Sequence, residues 1–202
     1  MNVEPFLRPM LDADSDAVVE VHLAAFPSFF LTFLGPRFLK ELYRGILGDP
    51  SGIAFVVEAD GSCRGFVAGT ADPSGLYGRL LQRRLLGFAW AAVIPVIRRP
   101  SIAGRLLRAF AKSKEASESG TGRAELMSLA VLPESQHQGL GARLVGQFVA
   151  EARHRGARSV SLTTDAEHNE SVRHFYETLG FRETRRFTTR EGRAMLEYER
   201  AL

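Results

Sequence analysis

The spacing of apolar residues changes period several times along this chain, and each change marks an element. Residues 6–10 read as a short first strand. Val18, Val21 and Leu23 then follow helical spacing, which predicts a helix to about Ala25 with Asp14 or Ser15 as its cap. Phe26-Pro27-Ser28 ends it. A second helix opens at Pro36, where proline's fixed φ and missing N–H suit a first helical turn. It carries Phe38, Leu39, Leu42, Tyr43 and Ile46 on one stripe. Residues 53–58 and 63–70 are strand-like, and the Asp60-Gly61 pair between them supplies the backbone freedom of a tight hairpin.

From residue 124 the pattern is regular again. Residues 124–131 and 160–164 read as strands, and residues 139–155 as an amphipathic helix with Leu140, Leu144, Phe148 and Ala152 inward. Residues 169–179 form a further helix, capped by Asn169 and stopped by Gly180. Residues 181–188 and 194–200 make a last hairpin around Glu191-Gly192. The alternation predicts a mixed α/β (α+β) fold: a twisted, mostly antiparallel central sheet flanked by helices.

Residues 73–122 interrupt that rhythm as a helical insertion between the third and fourth strands. Residues 85–97 are almost wholly apolar, with Pro95 inside. A membrane-spanning helix needs about 20 such residues, so this run is too short to span. A pair of helices broken between Pro95 and Pro100 is expected, the second carrying Ile102, Leu106, Leu107 and Phe110, followed by a polar connection over residues 112–122.

Length and composition fit a single domain over residues 1–202, since 45% of the 202 residues are hydrophobic and 24% charged. Net charge is only +3, but residues 76–114 hold nine Lys or Arg and no acid. Such a stretch is a solvated face, a contact with a second copy of the chain, or a rest for an anionic ligand or membrane surface. The lone Cys63 cannot form an internal disulfide, and no basic leader precedes an apolar run, so a cytoplasmic location is expected. Neither metal-spaced Cys/His clusters nor a nucleic-acid motif is evident.

The chemistry concentrates between the strand at 124–131 and the helix after it. Gln136-His137-Gln138-Gly139-Leu140-Gly141-Ala142 leads into a helix N-terminus, where the first N–H groups lack partners and the dipole is positive. That end suits a pyrophosphate, and glycines let a ligand reach the backbone. Gln136-x-x-Gly139-x-Gly141 resembles the signature loop of the GNAT superfamily of acetyl-CoA-dependent N-acyltransferases. Asn169-x6-Tyr176-x3-Gly180-Phe181 resembles its second cofactor-facing motif, and the order of elements around both fits as well.

The resemblance implies acetyl-CoA as acyl donor and a small amine as acceptor, with no metal. It implies a bulged strand whose backbone at Leu129, Ala130 and Val131 pairs with the pantetheine arm, and a phosphate loop formed by Gln136, His137, Gln138, Gly139, Leu140, Gly141 and Ala142. Asn169 would meet the cofactor where the sheet splays. Tyr176 would protonate the departing thiolate, and Glu125 would take the amine's proton, as a glutamate at the matching place does in some relatives. Gln138 departs from the frequent cation of relatives, and Arg143 is the residue expected to compensate. His22, His154, His168 and His174 have no metal-like spacing and are expected at the surface or in caps. The reading is an N-acetyltransferase in which a primary amine of a small molecule or peptide attacks directly. The rival is a catalytically silent CoA-binding sensor or interaction module that uses the apolar insert, which also offers a homodimer contact.

Overall fold

Alternating apolar residues on the inner strands bury both sheet faces, and helices supply the cover. The computed structural model describes residues 4–27, 30–98, 122–189 and 192–202. In order come β1 (Phe6–Pro9), α1 (Ser15–Ala25), α2 (Phe30–Phe33), α3 (Pro36–Gly48), β2 (Gly52–Ala59), β3 (Ser62–Thr70) and α4 (Leu76–Arg98). Then follow β4 (Arg123–Val131), α5 (Leu140–His154), β5 (Ser159–Asp165), α6 (Glu170–Thr178), β6 (Arg182–Thr188) and β7 (Ala194–Ala201). The seven strands form one sheet in the order β1-β2-β3-β4-β5-β7-β6. Only β4 and β5 are parallel; every other pair is antiparallel.

One core lies between the sheet and α1, α3 and α4, and joins Val18, Leu39, Tyr43 and Ile46 to Val56, Phe66 and Leu80. The other packs Leu140, Leu144, Phe148 and Ala152 of α5 against Val57, Val67, Val160 and Leu196. Those four α5 positions are the predicted inward stripe, and all are buried. Each such large side chain contributes about 1.5–3 kcal/mol by leaving water.

Several expectations are corrected. Helix α4 runs unbroken through Pro95 to Arg98, and positions 99 and 100 of the expected break lie outside the described residues. A break that was not expected falls at Arg84 (φ −130°, ψ 24°). There α4 closes on α3: Arg84 Nη1 donates to Glu41 Oε2 at 2.8 Å, and a Cβ at Gly87 would stand 2.6 Å from that same oxygen. The helix and connection expected at 102–122 fall outside the described residues except for Gly122, which is a turn. Trp90 is 75% exposed on α4. Among the described residues no helix is long and apolar enough to cross a membrane.

Asp14 stands at the N-cap of α1 but makes no capping bond. Its carboxylate instead accepts from Arg8 and from the Leu11 N–H. His22, expected at the surface, is 3% exposed within the first core. Its neighbours explain the difference: the Tyr43 hydroxyl lies 2.6 Å from Nδ1, which lets the ring be buried with one nitrogen bonded.

Candidate functional site

Strands β4 and β5 pair at three rungs only, Arg123↔Ser159, Ala124↔Val160 and Glu125↔Ser161. Past Glu125, β4 stays with β3 and β5 stays with β7, so the two parallel strands diverge into a wedge. The edge of β4 that faces the wedge therefore carries backbone N–H and C=O groups with no ladder partner there. A bulge lies at its start. Ala68 pairs with Ser128 and Gly69 with Leu126, which leaves Met127 as the extra residue. A Cβ at Gly69 would lie 2.1 Å from the Glu125 carbonyl oxygen, so only glycine lets β3 close on β4 there. The expected bulge is present, just before Leu129, Ala130 and Val131.

A short 3-10 turn, Pro133–Ser135, leads from β4 towards α5. His137 (φ 61°) and Gly139 (φ 75°) both take left-handed backbone, which turns the chain sharply into the helix. Gly139 is the N-cap of α5 and no side chain bonds the first-turn amides. The N–H groups of Leu140, Gly141 and Ala142 thus stand uncapped at the positive end of a long helix. That donor set fits a diphosphate. Gln136 and Gln138 are exposed, their amides donating to the Val131 and Glu134 carbonyl oxygens at 3.2 and 3.4 Å, so the two side chains brace the turn. The His137 side chain is exposed as well. Arg143 does not compensate for Gln138: its Nη2 donates to the Pro5 carbonyl at 2.8 Å, on the β1 side.

Asn169 occupies the N-cap of α6 without capping it. Its Nδ2 donates to Thr164 Oγ1 at 2.7 Å and to the Asp165 carbonyl at 3.1 Å, tying α6 to the wedge-side end of β5. Tyr176 is 7% exposed, with its ring edge-on to Phe175 and Phe181. Burial pushes its phenol pKa well up, so the hydroxyl keeps its proton at neutral pH. No hydrogen bond engages that hydroxyl among the described residues, and it is not one of the sealed polar atoms.

Glu125 sits at the last rung before the wedge. Its neighbours Ala124 and Leu126 face the α5 core, so strand alternation turns Glu125 to the opposite face, that of α1 and α3. Burial raises its carboxyl pKa; nearby Arg123 opposes the shift and Glu197 adds to it. Tyr176 belongs to the α5-side core, so the two groups address the wedge from opposite faces. His154, His168 and His174 are exposed, and the described residues hold no group of three or more metal-ligating side chains.

The profile of the Acetyltransferase (GNAT) family matches residues 16–181, which span both the wedge and the α5 turn. The chain belongs to this acetyltransferase family. No curated protein matches it by sequence. Among solved structures, the acetyltransferase is similar to an N-acetyltransferase from Staphylococcus aureus Mu50 (15% identity, TM-score 0.65, covering 98% of this chain and 99% of that one). It is similar also to the ribosomal-protein-S18-alanine N-acetyltransferase from Escherichia coli (15%, TM-score 0.61, 98% and 93%). A third is the PaiA N-acetyltransferase from Thermoplasma acidophilum, in complex with coenzyme A (14%, TM-score 0.61, 99% and 100%). At these identities the likeness establishes the fold of the acetyltransferase and no substrate.

Sequence reasoning missed one group in the acetyltransferase. Asp49, with a side chain only 1% exposed, binds Arg79 of α4 across a long stretch of chain, and nothing local announces that pairing.

Proposed function

We propose that this acetyltransferase moves the acetyl group of acetyl-CoA to a primary amine of a small molecule or peptide. The reaction is direct attack in a ternary complex, in one domain over residues 1–202 with 73–122 as its insertion. The wedge between β4 and β5, opening beside the uncapped first turn of α5, is the observation that carries this reading. A diphosphate would lie on the N–H groups of Gln138, Gly139, Leu140, Gly141 and Ala142, within the turn formed by Gln136 and His137. The free edge of β4 at Leu129, Ala130 and Val131 would bond an extended amide-bearing arm as another strand would, with Asn169 across the wedge.

Acetyl-CoA supplies an acetyl group activated as a thioester. Glu125 takes a proton from the acceptor's ammonium, which otherwise stays protonated because alkylammonium pKa values lie near ~10. The freed nitrogen then attacks from the α1/α3 face. A β4 backbone N–H past the bulge polarises the carbonyl oxygen as charge builds on it. Tyr176 holds a proton for the sulfur as the C–S bond breaks. A covalent route through Cys63 is disfavoured, because burial pushes that thiol up to about 11 and keeps it protonated.

The test is calorimetry with acetyl-CoA together with thiol release over a panel of amines. Saturable binding and amine-dependent release of CoA support the proposal. No binding at millimolar cofactor overturns it, and binding without turnover on any amine overturns its catalytic half.

A further inference from the structure

The sheet face opposite α5 carries a row of ionisable side chains at the base of the wedge. Val160, Leu162, Leu196 and Tyr198 belong to the α5-side core. Alternation therefore turns Ser161 of β5, and Glu197 and Glu199 of β7, to the other face, where Glu125 already lies. The register sets their spacing. Ser161 pairs with Glu125 on one side and with Glu199 on the other, so Glu125, Ser161 and Glu199 share one rung. Arg123 stands one same-face step before Glu125 on β4, and Glu197 one such step before Glu199 on β7.

Arg123 does not bind its strand neighbour. Its Nη2 donates to Glu197 Oε1 and lies 3.9 Å from Glu199 Oε2, so the guanidinium reaches diagonally past Ser161 to β7. Glu125, two residues and so about 6–7 Å along β4, has no side-chain hydrogen bond or ion pair among the described residues. Arg123 Nε is buried and also lacks a partner there, which leaves the guanidinium a donor for a second carboxylate.

The other groups around Glu125 are neutral or already paired. Its β3 partner Thr70 bonds Ser51 at 2.7 Å, and the Ser161 hydroxyl donates to the Ala124 carbonyl at 3.2 Å. Helices α1 and α3 bury His22 and Tyr43, bonded to each other, while Asp16 and Lys40 pair at the surface. Asp49 holds Arg79 of α4. Among the described residues, Arg123 is the cation that acts on Glu125. An arginine seated on a carboxylate lowers its pKa by about 1–3, and a carboxylate held that way is a weaker base.

We infer that Glu197, assisted by Glu199, is a positioning residue that draws Arg123 across β5 and so keeps Glu125 free to act as the base. The catalytic consequence rests on the acetyl-transfer reading; the geometry of the clamp does not. Glu197 acts through Arg123 and not on the acceptor.

The test is a carboxyl carbon-13 NMR titration of Glu125 in the full chain, run beside pH profiles of kcat/KM for an accepted amine. In Glu197→Gln, Arg123 turns to Glu125, and the Glu125 midpoint and the acid limb should both fall by about one pH unit or more. Glu199→Gln, which removes the more distant contact, should move them less. Arg123→Gln should move both upward. With Arg123→Gln already in place, Glu197→Gln should keep less than about a third of its single effect. Equal shifts from Glu197→Gln with and without Arg123 would show a field effect alone and overturn the clamp, as would an unmoved Glu125 midpoint. If the unmodified protein turns over no amine, or Glu125→Gln keeps the acid limb, the acetyl-transfer or base reading fails. The NMR midpoints alone then still decide the clamp.

Discussion

Helices α4 and α5 serve opposite sides of the molecule and are held in different ways. Helix α5 lies on the sheet through Leu140, Leu144, Val145, Phe148, Val149 and Ala152, and leaves its first-turn amides free. Helix α4 lies largely on α3 and is fastened by charges: Arg79 to Asp49 at 2.8 Å, Arg84 to Glu41 at 2.8 Å, and Arg83 to the Gly48 carbonyl at 3.2 Å. The first end is built from neighbours in sequence and presents backbone. The second is pinned by side chains far apart in the chain and presents Arg-rich, Trp-bearing surface. Backbone donors tolerate sequence drift and suit a ligand common to a family. Side-chain fastenings change with single substitutions and suit a part that varies.

The largest expected effect tests the α4 side. Arg79→Ala strands the buried Asp49 carboxylate and should lower unfolding free energy by about 3 kcal/mol, measured by denaturant titration, with acetyl-CoA affinity retained. Burial alone would raise the Asp49 pKa, but its bonds to Arg79 and Ser51 bring it down to about 2. Its folded pKa is therefore below its unfolded one, so this stabilisation is present above the ordinary carboxylate range and fades as pH falls towards 2. In Arg79→Ala that acid-side loss should shrink. An equal loss of acetyl-CoA affinity would erase the distinction between the two helices.

Glu125→Gln comes next, with kcat down about a hundredfold, or about 2.7 kcal/mol of barrier. In the parent protein the rate should rise with pH as Glu125 loses its proton, at a pH above the usual glutamate range. The variant should lack that limb, which a pH–rate profile would reveal. Gly139→Ala forces a side chain into φ 75° and should cost about 1–2 kcal/mol at the α5 turn. Calorimetry should show weaker acetyl-CoA binding with α4 docking unaffected, the mirror image of Arg79→Ala. Tyr176→Phe should be mildest, about fivefold in kcat or about 1 kcal/mol, because a thiolate leaves readily without help. A hundredfold loss there would make proton donation the dominant step.

The same contrast explains what the sequence made legible. The α5 turn, its glycines and the inward stripe of the helix follow from local periodicity and backbone needs, so they were readable in full. Asn169 and Tyr176 were placed on the correct helix, but Asn169 bonds back to β5 instead of capping. A side chain's choice between two nearby acceptors depends on tertiary distance. His22 was misread for the same cause: its burial depends on Tyr43, which comes from another helix. A local rule put a break between Pro95 and Pro100, yet Pro95 stays inside α4, and the kink at Arg84, beside Glu41 and the close approach of α3, had no local signal.

The central claim is that the turn into α5 and the free edge of β4 together hold acetyl-CoA. A backbone NMR titration with acetyl-CoA tests it most directly. The amides of Gln138, Gly139, Leu140, Gly141 and Ala142, and those of Leu129, Ala130 and Val131, should shift together along one saturation curve. The amides of Arg79, Leu80 and Arg83 should stay in place. Shifts confined to α3 and α4, with residues 138–142 unmoved at saturation, would contradict the account.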